Sequence, residues 1–143
     1  MSFAGMSYLA IVLAAVAAWL AGALWYGVLS GPWVAAQGKT MESFKAEHAA
    51  QKGTPAAWIP FVLCFLAELV MAWVLAGIIA HLGPVTFRNG VISAAFVWLG
   101  FVITTMAVNN AFTWRKATLT LIDAGHWLVV LLIMGAVIGW MGV

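Results

Sequence analysis

Residues Ala57–Leu82 read AWIPFVLCFLAELVMAWVLAGIIAHL, 26 positions in which Glu68 is the one charged side chain. An α-helix needs about 20 apolar residues to cross the hydrocarbon of a bilayer. The run is continuous and has no period-two alternation, so it is not a barrel strand. A helix satisfies its own backbone hydrogen bonds, which is what a single segment in lipid must do. Working outward, three further stretches have the same character: Met6–Leu29, Asn89–Phe112 and Ala117–Gly142. Gly31-Pro32, Gly53-Thr54-Pro55, Gly83-Pro84 and the polar run Thr113-Trp114-Arg115-Lys116 punctuate them.

Composition supports this reading. Of the 143 residues, 66% are hydrophobic and 7% charged, against about half and a quarter in soluble domains. Six Lys/Arg and four Asp/Glu cannot furnish a soluble surface, and so apolar a chain is not disordered. A net charge of +2 is too small and scattered for nucleic-acid binding. The lone Cys64 lies within an apolar run and reads as packing. Lys39 is the first basic residue, so a secretory n-region is missing and the first segment is expected to be a retained span. The expected fold is all-α: one transmembrane domain over residues 1–143, a four-helix bundle of up-down topology.

Orientation follows from the basic residues. Lys39, Lys45 and Lys52 lie in the first connection and Arg115 and Lys116 in the third, whereas Arg88 alone lies on the other side. That bias places both connections in the cytoplasm and both termini outside. The first connection, residues 30–56, is the one extramembrane piece of any size. Thr40 is positioned to cap a short interfacial helix over Met41–Gln51, stopped by Gly53 and Pro55.

The polar residues inside the spans carry the functional question. Measured from the cytoplasmic ends at about 1.5 Å per residue, Asn109 and Asn110 lie shallow, Asp123 and Thr105 roughly 9–11 Å deep, and His126 slightly deeper. Glu68 is deepest at about 16 Å, near the midplane. Ionisable groups in hydrocarbon are expensive and are functional candidates by default, so Glu68, Asp123 and His126 are the candidate ion- or proton-binding residues. Asp123 and His126 are three apart and can pair on one helix face. Trp98, Thr105 and Asn109 form a stripe that would face them, and with Asn110 would complete a supporting polar cluster. Glu68, Asp123 and His126 come from only two helices without ligand-motif spacing, so no metal is expected. His126 has no partner histidine at its depth, which makes haem or pigment binding a minor variant, and no cofactor is expected. No nucleophile with a base and no phosphate-binding loop occurs, so the chain is not read as an enzyme.

Nine tryptophans divide into an interfacial set, Trp25, Trp33, Trp58, Trp114 and Trp140, and a deeper set, Trp19, Trp73, Trp98 and Trp127. The deeper indoles need hydrogen-bond acceptors, which Glu68 or Asp123 would supply, although helix packing is the simpler reading. Gly135 and Gly139 form a G-x-x-x-G on the fourth span, and Ala14, Ala18 and Gly22 a similar row on the first. Both rows are helix-packing surfaces, either inside the chain or between subunits, and the fourth-span row, turned away from Asp123, leans towards oligomerisation.

The chain resembles the domain of unknown function 1761 family of small bacterial four-helix membrane proteins. The resemblance rests on Gly22-Ala23-Leu24-Trp25-Tyr26-Gly27 and Gly31-Pro32-Trp33, on Glu68-Leu69-Val70-Met71-Ala72, on Trp98-Leu99-Gly100-Phe101, and on Leu121-Ile122-Asp123-Ala124-Gly125-His126. It implies a four-helix membrane protein and no particular activity. Two functions are open at this point. One is a homo-oligomeric transporter or channel for protons, ions or a small solute, using Glu68, with a pathway between subunits. The other is a non-catalytic accessory or scaffold subunit of a larger membrane complex.

Overall fold

The computed structural model describes residues 5–142. All of its regular structure is helical. Helix α1 spans Tyr8–Val28, α2 Ser30–Ala36, α3 Met41–Ala49, α4 Ile59–Leu82, α5 Phe87–Val97, α6 Thr104–Phe112 and α7 Ala117–Met141. A 3₁₀ turn, Pro55–Ala57, leads into α4, and a π-helical segment, Trp98–Ile103, joins α5 to α6. Four helical units, Tyr8–Val28, Pro55–Leu82, Phe87–Phe112 and Ala117–Met141, are long and apolar enough to cross a membrane, with mean hydropathy of 2.1–2.5.

The helix ends follow local chemistry. Ser7 caps α1, its hydroxyl accepting from the Ala10 N–H at 3.2 Å, so the helix starts two residues after Met6. Thr40 caps α3 in a reciprocal box with Ser43. The chain adopts a positive φ at Gly53 beyond it, and α3 ends at Ala49 rather than Gln51. Gly83 closes α4 at φ +151°, a backbone state that a side chain would resist.

Two departures from the sequence expectation bear on the site. Residues 30–36, expected to be irregular, form α2, which continues α1 after a bend at Leu29. The bend has a covalent cause: Pro32 lacks the N–H that the Val28 carbonyl would receive, whereas Trp33 N–H still reaches Leu29 O at 2.9 Å. The third span is likewise interrupted, by six π-helical residues.

Helix α7 is the spine. It packs along α5 on one side and α1 on another, and α4 packs chiefly against α1. Residue pairing shows the directions: Gly22 meets His126 and Trp25 meets Gly125, so α1 and α7 are antiparallel. Thr86 meets Gly139 and Gly90 meets Gly135, so α5 and α7 are antiparallel as well. Small residues make these approaches possible, as they must where lipid supplies no hydrophobic drive. Ala14, Ala15 and Ala18 are completely enclosed, in one core with Ala72, Leu75, Ala76, Met134 and Ile138. A Cβ added at Gly90 would fall on the Gly135 carbonyl, and one at Gly135 would fall on the Gly90 carbonyl. The Gly135/Gly139 row is therefore occupied within the chain. Of the two uses open for the row, it is the internal one that the fold displays: Gly90 on α5 supplies the matching small surface.

Candidate functional site

The residues singled out from the sequence lie in two places along the bundle. The first surrounds the opening turns of α7. Asp123 is half-buried there, and its Oδ1 accepts two hydrogen bonds, from the Tyr26 hydroxyl at 2.8 Å and the Trp33 indole N–H at 3.0 Å. Tyr26 stands in the last turn of α1. Trp33 reaches the same oxygen because the Pro32 bend carries α2 back over the helix end. The two rings meet edge-on, centroids 5.3 Å apart.

His126 lies one turn deeper and is 4% exposed. Its ring packs on Tyr26, centroids 4.8 Å apart, and edge-on to Trp127 at the same distance. A Cβ at Gly22 would lie 2.6 Å from His126 Nε2, so the glycine makes room for the ring. The same tight fit leaves no space for a haem over Nε2. His126 Nδ1 is buried without a hydrogen-bond partner. The expected Asp123–His126 pair is not formed: among the described residues the one ion pair is Lys39–Glu47, on the exterior. Tyr26 stands between them, giving its hydroxyl to Asp123 and its ring face to His126.

More of α7 is held from both sides. Trp25 donates to the Ile122 carbonyl at 3.2 Å and lies against Gly125, where a Cβ would come within 2.9 Å of the indole. Trp98, at the start of the π segment, donates to the Ala124 carbonyl at 2.7 Å. Residues 122–126 are thus clasped by α1, α2 and the third span. Tyr26 and Trp33, the two donors to Asp123, escaped the sequence reading. Trp33 looks like an interfacial tryptophan, and the fold of α2 over α7 has no signal beyond Pro32.

The supporting cluster expected around Asp123 is not assembled. Asn109 and Thr105 are exposed, the Thr105 hydroxyl returning to its own helix at Phe101 O, 2.5 Å away. Asn110 donates to Thr120 Oγ1 at 2.9 Å, one turn before Asp123. The cause is the π segment. An i→i+5 stretch adds a residue to the turn and rotates everything after it by about 100° relative to a regular helix. Trp98 points at α7, and residues seven and eleven later do not.

The second place is Glu68, wholly enclosed in the core. Its Oε1 accepts from the Cys64 thiol at 3.4 Å, and Oε2 is buried without a partner. Its own chain is sufficient to enclose it. No group of three metal-ligating side chains occurs among the described residues.

The family model described as "Protein of unknown function (DUF1761)" matches residues 9–139. The chain belongs to the DUF1761 family. No curated protein and no solved structure matches it. The match takes in both ends of the Asp123 clasp and Glu68, so both places lie within the DUF1761 region. The blocks Gly22–Gly27, Gly31–Trp33, Trp98–Phe101 and Leu121–His126 are scattered in sequence. In the fold, Gly22, Trp25, Tyr26, Trp33 and Trp98 all touch residues 122–126.

Proposed function

We propose that this four-span membrane protein is a transporter or channel for protons or a small cation, with Glu68 as the binding carboxylate. The observation that carries the reading is the unpartnered Oε2 of a fully enclosed Glu68. A polar atom left unmatched in the membrane interior costs stability, and a carboxyl at that depth is retained against a large insertion penalty. His126, with its own unpartnered nitrogen, and Asp123, held by Tyr26 and Trp33, would form the approach from the end of the bundle where α2 and α3 lie. The pathway in this reading runs inside one chain. A homo-oligomer would form through faces other than Gly135 and Gly139. The bias of basic residues supports a cytoplasmic position for the first and third connections, with both termini outside a bacterial inner membrane. No enzymatic step is assigned.

The test is proton flux into proteoliposomes carrying a trapped pH dye, driven by a potassium diffusion potential. Glu68→Gln, close to isosteric, should lower flux about tenfold or more, as expected when the group that binds the ion is lost. Flux unchanged in a folded Glu68→Gln protein overturns the proposal. A second reading, an accessory subunit of a larger membrane complex, is favoured by the outward polar face of α6. There Thr104, Thr105 and Asn109 border a shallow depression of about 360 Å³. Stoichiometric foreign subunits in native mass spectra of gently extracted protein would favour it, and self-complexes alone would count against it.

A further inference from the structure

The turn between α6 and α7 contains a residue that its backbone does not favour. Trp114 has φ +55°, the one non-glycine residue in the left-handed region among those described. The hydrogen bonds explain the conformation. Trp114 N–H reaches Ala111 O at 3.2 Å, and Arg115 N–H reaches Asn110 O at 2.9 Å. This is the paired helix-ending motif whose left-handed position is usually glycine. A tryptophan there carries strain that glycine would not, and its ring contributes no burial in return, being 94% exposed. Stability therefore does not account for the side chain, which leaves its ring to be explained by something outside the chain.

What surrounds the ring indicates the chemistry. Ala111, Phe112 and Trp114 line a depression of about 310 Å³, and Phe112 is itself 83% exposed. The next residues are Arg115 and Lys116, both exposed. Lys116 Nζ is tied to the Ala35 carbonyl at 3.3 Å, which joins this turn to the end of α2. Among the described residues, Arg115 makes no side-chain hydrogen bond, and the one ion pair is Lys39–Glu47. The same end of the bundle carries Lys39, Lys45 and Lys52 against only Glu42 and Glu47 in its connections, and Glu47 is already paired with Lys39. An apolar aromatic shelf at the end of a membrane span, edged by the cationic Arg115 and Lys116, is complementary to one thing the membrane itself supplies there. Aromatic rings sit at headgroup level, and juxtamembrane basic groups attract anionic lipid.

We propose that Phe112, Trp114 and Arg115, with Lys116, form a binding site for the headgroup and upper chain of an anionic phospholipid. Trp114 and Phe112 lie along the acyl–glycerol region, and Arg115 takes the phosphate. The site is independent of Glu68 and Asp123 and does not depend on the transport reading.

The test uses the full chain in mild detergent, offered equal phosphatidylglycerol and phosphatidylcholine of the same acyl chains, with retained lipid counted by native mass spectrometry. Phosphatidylglycerol should be retained about fivefold over phosphatidylcholine, the effect expected of one basic residue at a membrane surface. Arg115→Gln should remove that preference. Trp114→Gly is the more telling variant, because it relaxes the backbone and should weaken lipid retention while leaving the melting temperature equal or higher. Equal retention of both lipids by the native chain overturns the proposal. So does an undiminished preference in both variants, or a melting temperature that falls in Trp114→Gly. Displacement of the lipid by inorganic phosphate alone also overturns it, since that would be a site for free anions.

Discussion

Tyr26→Phe isolates one atom of the Asp123 clasp. The variant keeps the ring that packs on His126 and Trp33 and removes only the hydroxyl 2.8 Å from Asp123 Oδ1. Hydrogen bonds to charged groups are worth about 1.5–3 kcal/mol in soluble proteins. Within membrane bundles, measured couplings average about 0.6 and reach about 1.7 kcal/mol. Asp123 is half-buried and keeps a second donor in Trp33 at 3.0 Å, so the loss should lie between these figures, at about 1 kcal/mol. That corresponds to roughly a fivefold change in the unfolding equilibrium. The assay is a double-mutant cycle of Tyr26→Phe and Asp123→Ala, with unfolding in mixed micelles followed by circular dichroism. The hydroxyl should cost about 1 kcal/mol when Asp123 is present and close to nothing when it is absent. Equal costs in both backgrounds would show that the hydroxyl and the carboxylate are not coupled, and the account of the clasp would fail.

Two other substitutions test the packing around the site. Gly135→Ala should destabilise the bundle by about 1–3 kcal/mol, because its methyl meets the Gly90 backbone rather than a movable side chain. Gly100→Ala, where nothing lies within 4 Å, should be neutral or slightly stabilising, by at most about 1 kcal/mol; a reversed order in melting temperatures would refute the α5–α7 contact. Phe44→Ala removes the ring set edge-on against Trp33 at 5.7 Å and stacked with His48 at 4.1 Å. Since α3 buries no residue, hydrogen exchange across Met41–Ala49 should accelerate while the four spans remain protected.

Much of the bundle could be read directly from the chain, because apolar runs of about 20 residues have few alternatives in lipid. The α3 cap at Thr40 was equally legible, since a side chain three residues from the N–H it accepts is a local device. Glu68 and His126 stood out as polar groups in otherwise apolar helices. Their partners did not. Asp123 is bonded across separations of 97 and 90 residues. Only the bend at Pro32 makes the second of those contacts geometrically available. The G-x-x-x-G row was visible, but whether such a row meets another subunit or another helix depends on where the complementary surface lies, and here it is Gly90 of the same chain.

The third span shows how periodicity fails when the backbone changes its repeat. A 3.6-residue period puts Trp98, Thr105 and Asn109 on one stripe, and Trp98 does face α7 through its bond to Ala124 O. The π segment then alters the phase, and Asn109 and Thr105 emerge on the outside. The consequence for the site is direct. With the register shifted, the carboxylate is left to two aromatic donors from α1 and α2, and the third span contributes a single indole to the α7 backbone. The side chain of Asp123 is therefore controlled from α1 and α2, and α2 meets the exposed α3 where Phe44 packs edge-on against Trp33. Any motion of α3 that displaces Trp33 is transmitted to Asp123 through one hydrogen bond, whereas Glu68 lies in the core among residues that α3 does not touch.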